Sequence, residues 1–173
     1  VGNSLKEVQP RLFADADFAA ARQPKGQHQV CIYAFEEHRL AFPLLVRASD
    51  KGAFHIPRQR RRLAADFGLR LSGLPALSLW HVLLPHQPPL FFHEDNQAMI
   101  HVVTTGRNPT MRYLHRTHRV SVSWLHEVYK RDDVVLMYED SAKMAADIYT
   151  KGFTDGKWEQ VCGLINVIDP KFL

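Results

Sequence analysis

The segment Phe91–Ile100, which reads Phe-Phe-His-Glu-Asp-Asn-Gln-Ala-Met-Ile, places the strongest constraint on the fold. Phe91 and Phe92 close an apolar run that predicts a buried strand, and a polar turn follows in which Glu94 and Asp95 are acids. Ligand sites in open α/β sheets lie outside the carboxyl ends of the strands. The segment therefore predicts an α/β fold in which an acid after this strand faces a cleft, a common position for a metal ligand.

Hydrophobic periodicity along the rest of the chain predicts an α/β domain with a mixed sheet. The predicted strands are Leu12–Phe18, Val30–Phe35, Leu40–Val46, Leu90–His93 and Val134–Tyr138. The predicted helices are Leu63–Ser72, Ala76–Leu84, Gln97–Thr105, Val120–Tyr129, Ala142–Phe153 and Trp158–Val167. Gly73 and Pro75 are expected to break or kink the helical run between the first two helices. Ser141 is the expected N-cap of the helix over 142–153, and Asp155 of the last helix. We expect residues 1–11 to be a lead-in, 12–153 the domain, and 154–173 a C-terminal helix and tail.

The composition limits the possible classes of protein. A chain of 173 residues suits one domain, and no apolar run approaches the roughly 20 residues of a membrane span, so we expect no membrane partner. The chain begins with Val1 and not Met, which predicts a fragment or a piece of a polyprotein. Cys31 and Cys162 are far apart and fit no zinc spacing, so two free thiols in a reducing compartment are expected. The ten histidines are scattered, which favours solvated or structural roles over zinc binding.

Three aspartates in separate stretches form a candidate catalytic group. Asp15 lies in the first predicted strand, Asp95 after a middle strand, and Asp147 in a late predicted helix. Hydrolysis of a phosphodiester by two metals uses such carboxylates to hold two Mg²⁺ ions about 3.5–4 Å apart, and Mg²⁺ takes oxygen ligands. Each aspartate also has a plainer interpretation, since Asp147 suits a solvated helix position and Asp15 suits the cap of a turn.

The same residues carry a resemblance to the ribonuclease H domain at the C-terminal end of copia-type retrotransposon Pol polyproteins. Ala14–Asp17 is similar to the family's Ser-Asp-Ala-Asp strand, and Glu94–Ile100 is similar to its Cys-Asp-Asn-Gln-Ser-Ala-Ile segment. Asn108–Pro109 and Arg116–Val122 resemble an Asn-Pro…Arg-Thr-Lys-His-Ile-Asp-Ile stretch, with several departures. Ala146–Lys151 matches the Ala-Asp-Ile-x-Thr-Lys signature in full. The order and rough spacing agree, and the matches are densest over residues 63–153.

The resemblance implies a ribonuclease H-like fold, with a mixed five-stranded sheet and helices on both faces. It also implies hydrolysis of the RNA strand of RNA–DNA hybrids with two Mg²⁺ ions. Asp15, Asp95 and Asp147 then correspond to three of the four metal-binding carboxylates. Asn96 and Gln97 are expected beside the minor groove of the hybrid, where 2′-hydroxyl groups mark the RNA strand.

Arg116 is expected to contact a phosphate, although a solvated surface arginine is an equal alternative. In an intact element, a reverse transcriptase domain precedes this one in the same polyprotein. The expected location is intracellular, in the cytoplasm or nucleus, if the chain is expressed.

The fourth carboxylate of the family is missing. It should be a glutamate early in the first helix, within a Ser-Thr-x-Glu-Ala-Glu motif, and its place falls at Arg61. The surrounding segment Ile56–Arg62 contains no acid and reads Ile-Pro-Arg-Gln-Arg-Arg-Arg. Because a cationic side chain among metal ligands repels Mg²⁺, we expect the chain to be inactive.

We hypothesise that residues 25–62 are read out of frame, which would account for the missing motif. One permitted set of codons for Phe54–Arg62, read two bases later, encodes Ser-His-Ser-Thr-Pro-Glu-Ala-Glu. Codons for Lys25–Val30, shifted in the same way, encode Arg-Ser-Thr-Ser-Gly, which the family carries after its first strand. The second and third strands are therefore doubtful. Residues 25–62 carry a net charge of +5, whereas the whole chain carries +4. The rest of the chain therefore has a net charge of −1, so the basic balance does not indicate nucleic-acid binding.

Three functions remain open. The first is an active Mg²⁺-dependent nuclease that cuts RNA in hybrids. The second, which we favour, is a defective remnant of that nuclease. The third is a non-catalytic α/β domain, unrelated in function, that binds nucleic acid or another partner. A structure in which Asp15, Asp95 and Asp147 were dispersed would favour the third.

Overall fold

A five-stranded mixed sheet forms the centre of the computed structural model, which describes residues 9–16, 29–37, 40–49, 64–107, 122–149, 151–165 and 167. The strands are β1 (Gln9–Ala16), β2 (Gln29–Glu37), β3 (Leu40–Ser49), β4 (Leu90–Glu94) and β5 (Val134–Tyr138). Their order across the sheet is β3-β2-β1-β4-β5. β1 pairs antiparallel with β2, and β2 pairs antiparallel with β3. β4 is parallel to both β1 and β5. The α/β fold and the mixed five-stranded sheet predicted from the sequence are confirmed.

The alternation of side chains along β1 divides the core into two parts. Leu12 and Ala14 belong to one cluster of buried residues, whereas Phe13 belongs to another. Because successive side chains of a strand point to opposite faces, the two clusters lie on opposite faces of the sheet. Asp15 follows the period of Phe13 and is also buried. The predicted strand began at Leu12, so the observed strand starts three residues earlier, at Gln9.

Helices cover both faces of the sheet. The α-helices are α1 (residues 64–68), α2 (Leu74–Leu83), α3 (Gln97–Thr105), α4 (Val122–Val128) and α5 (Asp155–Leu164). Buried residues of α1 to α4 pack with Leu12 and Phe92 in the first cluster, on what we call the helical face. The second cluster joins Phe13 to Met144 and Ile165, the latter just after α5, and we call its side the carboxylate face.

The predicted break at Gly73 and Pro75 is instead a continuous helical path. A π-helical turn, Leu69–Gly73, joins α1 to α2, and Pro75 occupies the first turn of α2, where its missing N–H is not needed. Gly73 is required by packing, because a Cβ atom there would lie 2.8 Å from side-chain carbons of both Leu12 and Leu90. The glycine lets the helix approach β1 and β4 closely.

The prediction of an α-helix over residues 142–153 was wrong. The structure has two 3₁₀ segments, Ser141–Lys143 and Ala145–Tyr149, separated by Met144 in an extended conformation. Asp140, and not Ser141, is the cap, since its side chain accepts a hydrogen bond from the backbone N–H of Ala142. Packing explains the difference, because burying Met144 together with the alanines against Phe13 overrides the helix propensity of the segment.

The last helix begins earlier than predicted. α5 starts at Asp155, in place of Trp158, and its N-cap is Thr154, so Asp155 lies in the first turn. An acid in that turn is favourable because it faces the positive end of the helix dipole. In contrast, α3 and β5 have the predicted bounds, and α4 confirms the helical interpretation of its segment.

The structure has strands at both doubtful positions, β2 and β3, paired with one irregularity in register between Tyr33 and Ala34. The hypothesis about the reading frame concerns the codons and stays a prediction. Asp17, Arg61 and Arg116 lie outside the described residues, as do Asn108 and Pro109. Within the described ranges, no helix is both long and apolar enough to span a membrane.

Candidate carboxylate site

Asp15 reaches the site from the central strand. It lies near the carboxyl end of β1, where it pairs in register with Val30 of β2, and only 4% of its surface is exposed. Strands on both sides of β1 hold its backbone, because β4 pairs with residues 11–13. The sheet therefore fixes the position of this carboxylate.

Asp95 directly follows β4, as the sequence predicted. Its strand is held on one side by β1 and on the other by β5, in which Tyr138 pairs with Glu94. Ser141 Oγ donates a hydrogen bond of 2.9 Å to Asp95 Oδ2. The side chain is half-buried, and the strand end and the first 3₁₀ segment together orient it.

Asp147 comes from the second 3₁₀ segment on the carboxylate face. It is buried beside Ala146, with 5% of its surface exposed. Lys151 Nζ donates to Asp147 Oδ2, and the backbone N–H of Lys151 also donates to the carbonyl of Asp147, at 2.9 Å. A lysine four residues later thus places a positive charge beside this carboxylate.

The three aspartates lie close enough together to influence one another. The pKa of Asp147 is raised to about 6, mainly by burial and to a smaller extent by the charges of Asp15 and Asp95, while Lys151 opposes the shift. A like charge disfavours ionisation only over short distances in a protein. Asp15 and Asp95 therefore lie within the range at which their charges act on Asp147, although the three residues are far apart in sequence.

The residues as they stand do not make a two-metal site. Carboxylate oxygens suit Mg²⁺, but among the described residues no three His, Cys, Asp or Glu side chains form a group that could hold a metal ion. Lys151 already binds Asp147, and Ser141 already binds Asp95. The metal-binding roles of Asp15, Asp95 and Asp147 stay predictions.

Asn96 and Gln97 differ in their surroundings. Asn96 is the N-cap of α3, since its Oδ1 accepts hydrogen bonds from the backbone N–H groups of Ala98, at 3.0 Å, and Met99, at 3.2 Å. Gln97 is exposed in the first turn. Asn96 therefore has a structural role that the sequence analysis did not assign. The predicted contacts of both residues with a nucleic acid stay predictions.

Two residues of the site were missed from the sequence. Lys151 is part of the Ala-Asp-Ile-x-Thr-Lys match, and a spacing of four residues from Asp147 is a signal that could have identified it. Ser141 lies 46 residues from Asp95, and no local pattern connects the two. It was assigned instead to the cap of a helix that does not form.

A buried histidine belongs to a hydrogen-bond network next to the site. His93 stacks on Phe13, with ring centroids 4.4 Å apart, and accepts a hydrogen bond at Nε2 from Arg11. Because an arginine can only donate, the proton of the imidazole is on Nδ1, which donates to Glu139 Oε2 at 2.8 Å. The backbone N–H of Glu139 donates to the carbonyl of Glu94 at 3.0 Å. This network joins β1, β4 and the segment that carries Ser141.

No protein-family model matches the sequence, and no curated protein matches it. Among solved structures, the chain is similar to RNase H1 from the halophilic archaeon Halobacterium salinarum NRC-1. The identity is 13%, the TM-score is 0.44, and the match covers 80% of this chain and 89% of that chain. Both the identity and the TM-score of this match are low.

Proposed function

We propose that the chain is a ribonuclease H-like domain descended from a copia-type retrotransposon polyprotein, and that it does not cleave RNA–DNA hybrids. The ancestral activity is hydrolysis of the RNA strand with two Mg²⁺ ions, next to a reverse transcriptase domain in the same polyprotein. The observation that supports the ancestry most is the placement of Asp15, Asp95 and Asp147, because the charges of Asp15 and Asp95 contribute to the raised pKa of Asp147 after the larger effect of burial.

One observation supports the loss of activity. The place of the fourth carboxylate falls at Arg61, in a segment that contains no acid. A cationic residue in place of a carboxylate weakens the attraction for Mg²⁺ that a two-metal mechanism needs. The ion pair of Lys151 with Asp147 does not bear on the loss, because this lysine is part of the Ala-Asp-Ile-x-Thr-Lys signature of the family.

An in-gel assay of hybrid cleavage with Mg²⁺ tests the proposal. We expect no cleavage by the chain above the level of an Asp95→Asn variant. Cleavage that depends on Asp95 would show that the enzyme is active and would contradict the proposed loss. The Asn variant is a suitable control because its amide oxygen can still accept the hydrogen bond from Ser141.

The genomic DNA tests the proposed cause. If the codons for residues 25–62 encode both missing motifs in one shifted frame, a chain translated from the restored frame regains the glutamate at the position of Arg61. We expect that chain to cleave hybrids, and we expect Asp95→Asn in the same background to abolish cleavage. Codons that cannot yield both motifs in one frame would refute the frameshift.

The non-catalytic alternative, an α/β domain that binds nucleic acid, is favoured by the Lys151–Asp147 ion pair, because this pair lowers the repulsion between the site and phosphates. Binding of a hybrid in the presence of a chelator, without cleavage when Mg²⁺ is added, is the result that this alternative predicts. Absence of both binding and cleavage would leave only the proposed descent from a ribonuclease H domain, without a present function.

A further inference from the structure

A pocket lies between the two 3₁₀ segments and α5, and we call it the α5 pocket. Its volume is about 290 Å³, near the lower end of the range of small-molecule sites. Met144, Val161 and Asp147 are buried and form its floor. Lys157 and Gln160 are exposed on α5 and form part of its rim. The pocket thus combines a mainly apolar floor with a polar rim.

The charge of the pocket favours an anion at the rim. On the floor, the ion pair of Lys151 with Asp147 is neutral as a unit. On the rim, Lys157 makes no ion pair with any residue that the structure describes. The exposed amide of Gln160 lines the same opening, whereas the Ser141 hydroxyl there already donates its proton to Asp95. One net positive charge with polar neighbours is suited to a phosphate group.

The other walls favour a flat apolar group. Phe153, just before α5, and Leu164, in its last turn, are half-buried and line the pocket. With Met144 and Val161 they form an apolar lining in which a nucleobase can stack on an aromatic ring or pack against aliphatic and thioether groups. A phosphate alone leaves this lining uncovered.

We propose that the α5 pocket binds a nucleoside monophosphate group, with the phosphate at Lys157 and the base against Phe153. The group is either a free nucleotide or the phosphorylated end of a nucleic-acid strand, since both present the same chemistry. Binding at this pocket requires neither hybrid cleavage nor a bound metal, so it stands apart from the proposed function. Asp147 and Ser141, however, belong to both the pocket and the carboxylate site.

Isothermal titration of the full chain in the presence of a chelator tests the proposal. The probes are AMP, adenosine, inorganic phosphate and a 5′-phosphorylated oligonucleotide. We expect AMP to bind, and we expect adenosine and phosphate each to bind about tenfold or more weakly, because each lacks one half of the contacts. An oligonucleotide that binds more tightly than AMP identifies a strand end as the ligand, and one that binds more weakly identifies a free nucleotide.

Two variants locate the site. Lys157→Glu should raise the Kd for AMP by about tenfold or more, since it reverses the charge at the rim. Ala142→Trp should block the opening, because Ala142 is exposed and lines the pocket. Lys130→Glu is the matched control, because Lys130 is exposed in the turn after α4 and does not line the pocket. Circular dichroism of each variant checks that the fold is kept.

Several results would overturn the proposal. Equal affinity for AMP and for inorganic phosphate would show that the apolar lining has no role in binding. An equal loss of binding in Lys130→Glu and Lys157→Glu would indicate general attraction to a basic surface. Unchanged affinity in both Lys157→Glu and Ala142→Trp, with the fold intact, would show that AMP binds elsewhere. No binding of AMP or of the oligonucleotide would also refute it.

Discussion

The two faces of the sheet differ in the residues that cover them. On the helical face, the described core cluster contains thirteen buried apolar residues, whereas the cluster on the carboxylate face contains five. Asp15, His93 and Asp147, all buried, lie with the smaller cluster. Burial of apolar area stabilises a fold, while a buried charge costs free energy unless it is paired. We infer that the helical face stabilises the domain, whereas the carboxylate face carries the buried polar groups on which the proposed function rests.

The largest expected effect comes from the helical face. Phe92 is fully buried in β4 and packs edge-to-face on Tyr129, with ring centroids 5.6 Å apart. Phe92→Ala should lower the free energy of unfolding by about 3–5 kcal/mol, through lost burial and the cavity that remains. Met144→Ala, the corresponding truncation on the carboxylate face, should cost about 2 kcal/mol, because a small cluster loses fewer contacts.

Urea denaturation followed by circular dichroism measures both changes. Val82→Ala is the control, since Val82 is 81% exposed on α2 and its truncation should leave the midpoint nearly unchanged. Equal costs for Phe92→Ala and Met144→Ala would break the comparison, because the two faces would then stabilise the domain equally.

The next effect concerns the closest approach between helix and sheet. Gly73→Ala places a Cβ atom 2.8 Å from side-chain carbons of Leu12 and Leu90, so both leucines must move. We expect a loss of about 1–3 kcal/mol in the free energy of unfolding, as for other overpacked cores. Gly156→Ala in α5 is the matched control, because nothing lies within 4 Å of the added atom. That variant should be neutral or more stable by up to about 1 kcal/mol. A neutral Gly73→Ala would show that the helical face packs loosely there.

The sequence predicted the elements whose local signals agree with their packing. α3 and β5 have the predicted bounds because the cap Asn96 and the stop Gly106, and the apolar run of β5, are local features. The positions of Asp15 and Asp95 relative to their strands could also be read from the sequence. What joins Ser141 to Asp95 is tertiary, and no local pattern encodes it.

The segment after β5 shows why the rest could not be predicted. Its residues have good helix propensity, yet packing of Met144 against Phe13 and Ile165 divides it into two 3₁₀ turns. The α5 pocket exists because of that division, since both turns contribute to its lining. The sequence alone thus predicted Asp147 as a candidate but could predict neither its local geometry nor its neighbours.

The carboxylate face should respond to pH through Asp147. Its pKa is raised from 3.8 to about 6 in the folded state, first by burial and then by Asp15 and Asp95 against the opposing effect of Lys151. The folded state therefore holds the proton more tightly than the unfolded state. The contribution of Asp147 to stability should fall as the pH rises from about 4 to about 6.

Urea denaturation at several pH values compares the chain with Asp147→Asn, which cannot ionise. The difference between the two unfolding free energies should change across this window and stay constant above about pH 7. Asp155→Asn, at an exposed position in α5, is the control and should follow the unmodified chain. If the chain gained stability relative to Asp147→Asn as the pH rose, the ion pair with Lys151 would outweigh the burial of the charge.

The smallest expected effect on stability concerns Asn96. Asn96 follows Asp95 and caps α3, whose Met99 and Val103 belong to the core of the helical face. Asn96→Ala should cost about 1 kcal/mol of unfolding free energy, whereas Asn96→Ser, which keeps an oxygen for the cap, should cost little. Fluorescence anisotropy with a labelled RNA–DNA hybrid then separates stability from recognition. If the amide contacts the hybrid, both variants bind more weakly although only Asn96→Ala is less stable. Equal binding by Asn96→Ser and the unmodified chain would restrict the role of Asn96 to the cap of α3.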